Sequence, residues 1–589
     1  MKKRSLIALL LCIVLVVGLL TGCGKKEAPV AEEPNVENKE PTKEEKPAEE
    51  TPVEQTPVEE AERLPLVKDG EKVTLTIGVP QSSKVEDYNT NEYTLWLEEQ
   101  TGIDLDFVYF SSTSSEYITQ LSLMVAGGEK LPDILWNFGA ITTAAMYEYG
   151  EDGYFVDLAP YFESDAYYWN EGYENLLSEE GREQIWARGT NPSNGAFYGF
   201  PTVTVTNDND LVKNYLAINT KWLEKVGAEM PTTTEELYEV LKKFAAEDPN
   251  GNGTADEMPL VCGVDVNYAD ALEYIINAWV YVNDKDFFNV TDDQLWVPYT
   301  TDEYRQAMIY LNKLYAEGLI SPMCYTLAKN TELKPIFTPA DGVAIAGVFG
   351  GHPTLTTEAD NEVVFEYQPM PVLEAETDLG GYALRATPTY DELYFSYKFN
   401  NFITCDCENP DLAFQLLDFM CSQESAIFQR YGQKDLHWVY TEGMTDSMGQ
   451  TAMFEVLDDS VYSGQNNINW HSISGTIYPY NVYAPAYVDD GSYASRLTDL
   501  KMAYRDNILS KEGPAEISNG LVYTVEETNA ISEISSNLLD YMEQARAMFV
   551  TGVMDPNSDA DWQTYLSNME AQGLTTYLET AQAAYSRMK

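Results

Sequence analysis

The stretch from Val73 to Gly139 constrains the fold more than any other part of the chain, because its apolar period switches repeatedly. "VTLTIGVP" (73–80) alternates with period two, and "YTLWLEEQTG" (93–102) reads as a short amphipathic helix closed by Gly102. "IDLDFVYF" (103–110) alternates again, "EYITQLSLMVAGGEK" (116–130) is helical up to Gly127 and Gly128, and "PDILWNFG" (132–139) returns to a strand. A strand–helix–strand–helix–strand order predicts an α/β fold with a largely parallel sheet and helices on its faces. Ligands on such sheets gather at the carboxyl ends of the strands. Those ends carry Pro80-Gln81-Ser82, Ser111-Ser112-Thr113 and Trp136-Asn137-Phe138, which makes Gln81, Trp136 and Asn137 candidate site residues.

A second αβ region follows "GAFYGFPTVTV". "YLAINTKWLEKVG" gives a strand and a helix, and "PTTTEELYEVLKKFAAED" a helix opened by a capping box of Thr233 and Glu236. Its apolar face is Leu237, Val240, Leu241 and Phe244. "MPLVCGVDV" and "GVAIAGVFGG" read as strands, "DEYRQAMIYLNKLYAEGLI" and "LAFQLLDFMCS" as helices, and the last thirty or so residues as almost wholly helical. Between helix and strand lies "DPNGNGTADE", Asp248 to Glu257, with oxygen-bearing residues at every second position. Such alternation lets a curled backbone aim successive oxygens at one cation, and Asp248, Asn250 and Asn252 match the first three ligand positions of an EF-hand. The twelfth position is Pro259, where an EF-hand has a bidentate Glu, so the loop is either a different calcium cage or a polar turn.

The chain opens with Lys2, Lys3 and Arg4, an apolar run from Ser5 to Gly18, and then Leu20-Thr21-Gly22-Cys23. Small residues ending in Cys fit a lipoprotein leader of residues 1–22 cleaved before an acylated Cys23; a membrane-spanning helix is the other reading. Residues 23–66, rich in Glu, Pro, Lys and Thr, cannot bury enough surface to fold and read as a tether. The body beyond, roughly 520 residues, is long enough for two domains. A net charge of −59 argues against nucleic acid and against docking on anionic lipid, and disfavours an anionic ligand. Of seven cysteines, Cys12 leaves with the leader and Cys23 is acylated; the five left are scattered and give no disulfide framework. In "FITCDC", Cys405 and Cys407 fit one face of a strand as packing residues.

Catalytic patterns are missing. His352, His437 and His471 have no metal-ligand spacing, and the sequence holds no HExxH, nucleophile elbow, P-loop or GxGxxG. With 95 Asp and Glu, no pair of carboxylates can be singled out for glycoside hydrolysis. Forty-one Tyr, 21 Phe and 10 Trp are more telling, because sugar rings stack their C–H faces on aromatic rings.

The phrases "YLAINTKWLEKVGAEMPTTTEELYEVLKKFAAEDPNGNGTADEMPL", "GAFYGFP", "LNKLYAEGLISP", "CENPDLAFQLLDFMCSQE" and "AQAAYSRM" resemble the extracellular solute-binding lipoproteins of ABC importers, family 1 of the maltose-binding-protein-like superfamily. The likeness is to its large, calcium-containing, oligosaccharide-binding branch and runs from about Lys72 to the end. It implies a two-lobed, type II periplasmic-binding-protein-like fold with hinge strands and a central cleft. Lobe one would be 67–202 with 370–432, and lobe two 203–369 with 433–589, the chain crossing near Pro201, Gln368 and Gly432. It implies a structural Ca2+ held by Asp248, Asn250, Asn252, Asp256, Glu257 and the Thr254 carbonyl. It also implies cleft residues by position: Trp136, Phe349 (where Trp is common), Asn267, Tyr268, Asp270, Trp438 and Trp470. The expected function is capture of a neutral oligosaccharide by a lipid-anchored monomer and delivery to permease subunits. A surface-anchored glycan hydrolase or lyase, or an adhesin, shares the address and the aromatic richness.

Overall fold

Strands β1 (Val73–Pro80) and β2 (Ile103–Phe110) pair in parallel, from Val73 opposite Ile103 to Pro80 opposite Phe110. The alternation seen in the sequence sets the faces: Ile103, Leu105 and Phe107 are buried while Asp104 and Asp106 are exposed. The computed structural model describes residues 63–587 apart from 69, 178, 206–215, 264–270, 283–286, 328–329, 352–356, 359, 383–394, 447–448, 450, 459, 472–484, 490, 510 and 512–520. The leader, Cys23, the tether up to residue 62, Asn267, Tyr268 and Asp270 therefore lie outside the described residues, whereas Leu64 and Leu66 at the end of the expected tether pack on the first core. Strands are numbered in chain order throughout, and helices in the order given.

Helix α1 (Glu92–Thr101) links the first two strands; the Asn91 side chain accepts from the Tyr93 N–H at its start. It ends at Gly102 with φ 75°, where an added Cβ would lie 3.1 Å from the Val67 carbonyl oxygen. Helix α2 (Ser114–Gly127) leads to β3 (Ile134–Leu135), parallel to β1 on its other side. Two antiparallel strands complete the sheet, β4 (Phe200–Val205) and β11 (Phe395–Ile403), in the order β2-β1-β3-β11-β4. Helices α3 (Thr143–Glu151), α4 (Tyr168–Leu176) and α5 (Glu179–Gly189) lie between β3 and β4.

A second sheet has the order β10-β5-β9-β6, from β5 (Leu216–Asn219), β6 (Met258–Val261), β9 (Ala346–Gly350) and β10 (Tyr367–Pro369). Helix α6 (Thr234–Ala246) forms the expected capping box, with both Thr233 and Glu236 bonds present, and buries Leu237, Val240, Leu241 and Phe244. Helix α7 (Asp302–Ala316) joins the same core. Helices α8 (Pro410–Phe419) and α9 (Gln423–Tyr431) flank the first sheet. Helices α10 (Tyr493–Leu509), α11 (Val525–Thr551), α12 (Asp559–Ala571) and α13 (Leu574–Arg587) place buried residues such as Tyr504, Phe549 and Tyr565 on the second.

Each sheet thus has its own interior, and packing corrects where the chain changes lobe. Met370, Val372 and Leu373 are buried in the second core, and the Gly381 N–H donates to the Asn277 carbonyl. The return to the first sheet therefore falls between Gly381 and Phe395, not at 370. Residues 433–471 do not leave with the second lobe either: Trp470 packs edge-on to Trp136, Tyr93 and Phe107 in the first core. The outward crossing near Pro201 shifts likewise, since β4 stays in the first sheet to Val205 and β5 opens the second at Leu216. Strand β11 stops at Ile403, so Cys405 is exposed on a turn and Cys407 half-buried rather than both lining a strand face.

One buried carboxylate ties two helices together. Asp418, near the end of α8, accepts the backbone N–H groups of Tyr167, Tyr168 and Trp169 at 3.0, 3.1 and 2.8 Å, at the start of α4. Burial pushes its carboxyl up to about 6, against the pull of those three donors. A raised folded pKa means the native state binds this proton more tightly than the unfolded chain. Its contribution is complete below the ordinary carboxylate pKa and lost as pH rises through about 6. Urea unfolding should show the parent losing on the order of 2–3 kcal/mol relative to Asp418→Asn between pH 4 and 7; a constant difference across that range would contradict it.

Candidate functional site

The antiparallel ribbon of β4 and β11 runs past the carboxyl ends of β1 and β3, because Phe402 and Ile403 of β11 already pair with Leu135 and Ile134. Its register shifts between Phe399 and Asn401, which leaves Asn400 as a bulge. Asn400 accepts from the Thr202 hydroxyl at 2.8 Å, and Asn401 Oδ1 accepts the Asn137 N–H at 2.9 Å. Asn137 has φ 63°, the left-handed region, and β3 ends at Leu135, three residues short of Phe138 where its apolar pattern ends. Three asparagines and a threonine thus form a fixed polar cluster where the first sheet meets the ribbon.

Beside that cluster lies a recess of about 280 Å3. One wall is the loop after β3 and the start of α3, with Thr142 and Thr143; another is the ribbon, with Tyr397 and Phe399. Arg188, from α5, and Lys398 supply its charge, and no Asp or Glu lines it. The remaining wall is the segment entering α11. Leu521 and Tyr523 there pack on the second core, Val522 on the first. A larger recess, about 620 Å3, lies against the second lobe only, lined by Lys221 and residues between 340 and 366 that include Glu358, Asp360, Glu362 and Glu366. We regard the smaller one as the functional site, because both lobes wall it at the strand ends.

The expected residues divide sharply. Trp136 and Trp470 are brought together, ring centroids 4.8 Å apart, but both are buried in the first core. The Trp470 indole N–H donates to the Thr94 hydroxyl at 2.9 Å, whereas the buried Trp136 N–H has no partner. Trp438 is enclosed in a small separate core and donates to the Gly432 carbonyl at 2.7 Å. Phe349 stacks on Phe337 at 4.1 Å inside the second core. Four rings expected at the cleft therefore have protein against them. Asn137 is half-buried beside the recess, and Gln81 is exposed after β1. Arg188, Lys398, Tyr397 and Tyr523 were missed by the sequence reading; an Arg within the apolar phrase "QIWARGT" was the available signal.

The loop from Asp248 to Glu257 curls as its spacing requires. The Gly253 N–H donates to Asp248 Oδ2 at 3.0 Å, Asn252 N–H to Asn250 Oδ1 at 2.9 Å, and Thr254 N–H to Asn252 Oδ1 at 2.6 Å. The side-chain amides of Asn250 and Asn252 both donate to the Asp256 carboxylate at 3.1 Å. Glu257 Oε1 is buried without a partner, and burial together with the charges of Asp256 and Asp248 raises its carboxyl. Among the described residues no ion pair offsets these carboxylates. Among the described residues no three Asp, Glu, His or Cys side chains converge as a metal cage, so a cation here would depend on the amide and carbonyl oxygens as well. An orphaned buried carboxylate oxygen in an oxygen-rich loop fits a hard divalent cation.

Comparison with known proteins gives the family. A model described as "Bacterial extracellular solute-binding protein" matches residues 81–427. The fructooligosaccharide ABC transporter substrate-binding protein FusA of Streptococcus pneumoniae is 24% identical over 552 residues, 90% of this chain and 92% of FusA. A solved structure of a FusA EF-hand mutant with fructo-nystose has TM-score 0.63 at 20% identity, covering 87% of this chain and 99% of that one. An HMO-binding, ABC-transporter-associated solute-binding protein from Bifidobacterium longum infantis has TM-score 0.67 at 20% identity, covering 88% and 99%. Lipoprotein LipO of Bacillus subtilis is 28% identical over 253 residues, 43% of this chain and 46% of LipO. The matched residues take in every strand of the two sheets except β1, which ends at Pro80, and the chain belongs to the bacterial extracellular solute-binding proteins.

Proposed function

We propose that this chain captures an extracellular oligosaccharide between its lobes and delivers it to the permease subunits of an ABC importer. The observation that carries the reading is the recess walled by both lobes at the strand ends, which domain closure would seal. The fructooligosaccharide for which FusA is named and the HMO for which the Bifidobacterium protein is named support an oligosaccharide. Closure is a population shift, limited by how much better the ligand binds the closed form. Membership in a family of binding proteins displaces the glycan-degrading alternative.

Asn137 and Gln81 keep a polar role toward the sugar, while stacking passes to Tyr397, Phe399 and Tyr523. Asn267, Tyr268 and Asp270 remain candidates by their position after β6. Acylated Cys23 would hold a monomer on the outer face of the membrane through the tether, as the lipoprotein name of LipO supports. Calcium would sit in the loop of Asp248, Asn250, Asn252, Thr254, Asp256 and Glu257, neutralising its carboxylates; the EF-hand named in FusA supports this.

Calorimetry against a panel of oligosaccharides should give one-site binding, with the bound glycan recovered uncleaved by mass spectrometry. Binding to none, or recovery of shorter products, would refute the reading. Calcium should raise the melting temperature and a chelator reverse the rise, about 2.7 kcal/mol of stabilisation at a hundred times the dissociation constant. Glu257→Gln should shrink that rise, and a melting temperature indifferent to calcium would remove the ion.

A further inference from the structure

Acidic side chains outnumber basic ones 95 to 36 in this chain, yet the interlobe recess is lined by two cations and no carboxylate. Arg188 is the sharper anomaly. It is 4% exposed, and among the described residues its one side-chain hydrogen bond is a long one, 3.5 Å from Nε to the Gln184 amide oxygen. Among those residues neither terminal nitrogen of the guanidinium has a partner. Burying a charge without a counter-charge costs several kcal/mol in ordinary protein interiors. A core-stabilising arginine would be expected to sit on one of the abundant carboxylates.

Three independent features face the same space. Thr142 caps α3 by accepting the Ala145 N–H, and Thr142, Thr143 and Ala144 line the recess, so the first turn of the helix and the positive end of its dipole stand in its wall. The Thr528 hydroxyl, on the opposite wall, is buried without a partner. Lys398 adds an exposed positive charge from the ribbon. Tyr397, Phe399 and Tyr523 offer ring surface between these groups. The volume, about 280 Å3, falls just short of the roughly 300–1,000 Å3 of whole-ligand pockets and suits one part of a longer ligand.

We propose that this recess is an anion-recognising subsite and that the cargo is a carboxylate-bearing oligosaccharide, one containing uronic acid. The Arg188 fork matches a carboxylate in bidentate fashion, the start of α3 and Lys398 add attraction, and the sugar ring lies on the tyrosines. The assignment rests on the oligosaccharide-binding reading above and reverses the neutral ligand expected from net charge. The charge of the whole chain is carried by its solvated surface, and the charge of the site by the few groups that line it.

The test is calorimetry on the full body with uronic-acid oligosaccharides, with the same oligosaccharides after carboxyl reduction, and with neutral oligosaccharides of equal length. The uronate should bind at least a hundredfold tighter than its carboxyl-reduced form. Arg188→Gln should abolish that preference, and Arg188→Lys should lower uronate affinity at least tenfold while retaining some preference. Lys398→Gln, at an exposed position, should weaken binding a few-fold and flatten its salt dependence. Without ligand, Arg188→Gln should melt at or above the parent temperature, because it removes an uncompensated buried charge, whereas a structural arginine would leave a less stable protein. Equal affinity for the uronate and its reduced form, or tight binding of neutral oligosaccharides alone, overturns the subsite and leaves the oligosaccharide-binding reading standing. Binding of none of the three classes overturns both.

Discussion

Everything in this molecule follows from dividing one chain between two hydrophobic interiors that close independently. Each sheet buries its own apolar face against its own helices, so the surface where the lobes meet is left out of both cores. The connection is made by a ribbon, β4 and β11, that belongs to the first sheet at one end and runs beyond its carboxyl edge. A seam of that kind is polar, and its backbone groups and asparagines have to be satisfied by one another. The cluster of Asn137, Asn400, Asn401 and Thr202 does this, and it also fixes the end of β3 against the ribbon.

Because both lobes present side chains to a shared space at this seam, a ligand there can change their relative stability. A solute that touches only one lobe cannot favour closure, whatever its affinity. The recess between the start of α3, the ribbon and the start of α11 has walls from both sides, whereas the larger acidic recess has walls from one. Size alone would have chosen the wrong one.

Much of the first lobe was legible because its information is local. Period-two alternation in 73–80 and 103–110 and a glycine at 102 act within a few residues, as does the capping box of Thr233 and Glu236 in the second lobe, and the structure has each of them. The ribbon was not legible as a sheet member, because β4 and β11 pair across nearly two hundred residues and a bulge breaks their register. The burial of the aromatic candidates was illegible for the same reason. Whether Trp470 faces a cleft or Trp136 depends on residues 84–93 receiving the 466–470 segment, through bonds such as Tyr93 N–H to the Ile468 carbonyl. Position after a strand or in a late loop carries no such information. Arg188 was silent in the sequence, since a missing counter-charge becomes visible only once its neighbours are known. The oxygen-rich loop was the opposite case: its spacing fixed the curl, and only the orphaned Glu257 oxygen had to be seen.

Small-angle scattering of the body, free and saturated with the oligosaccharide that calorimetry selects, addresses the shared-seam idea directly. Two interiors moving as units about a ribbon should give a smaller radius of gyration and a shorter maximum dimension on saturation, with secondary structure unchanged. Identical scattering curves at full occupancy would mean that cargo is held without the lobes moving, and the division into two bodies would then have nothing to do with capture.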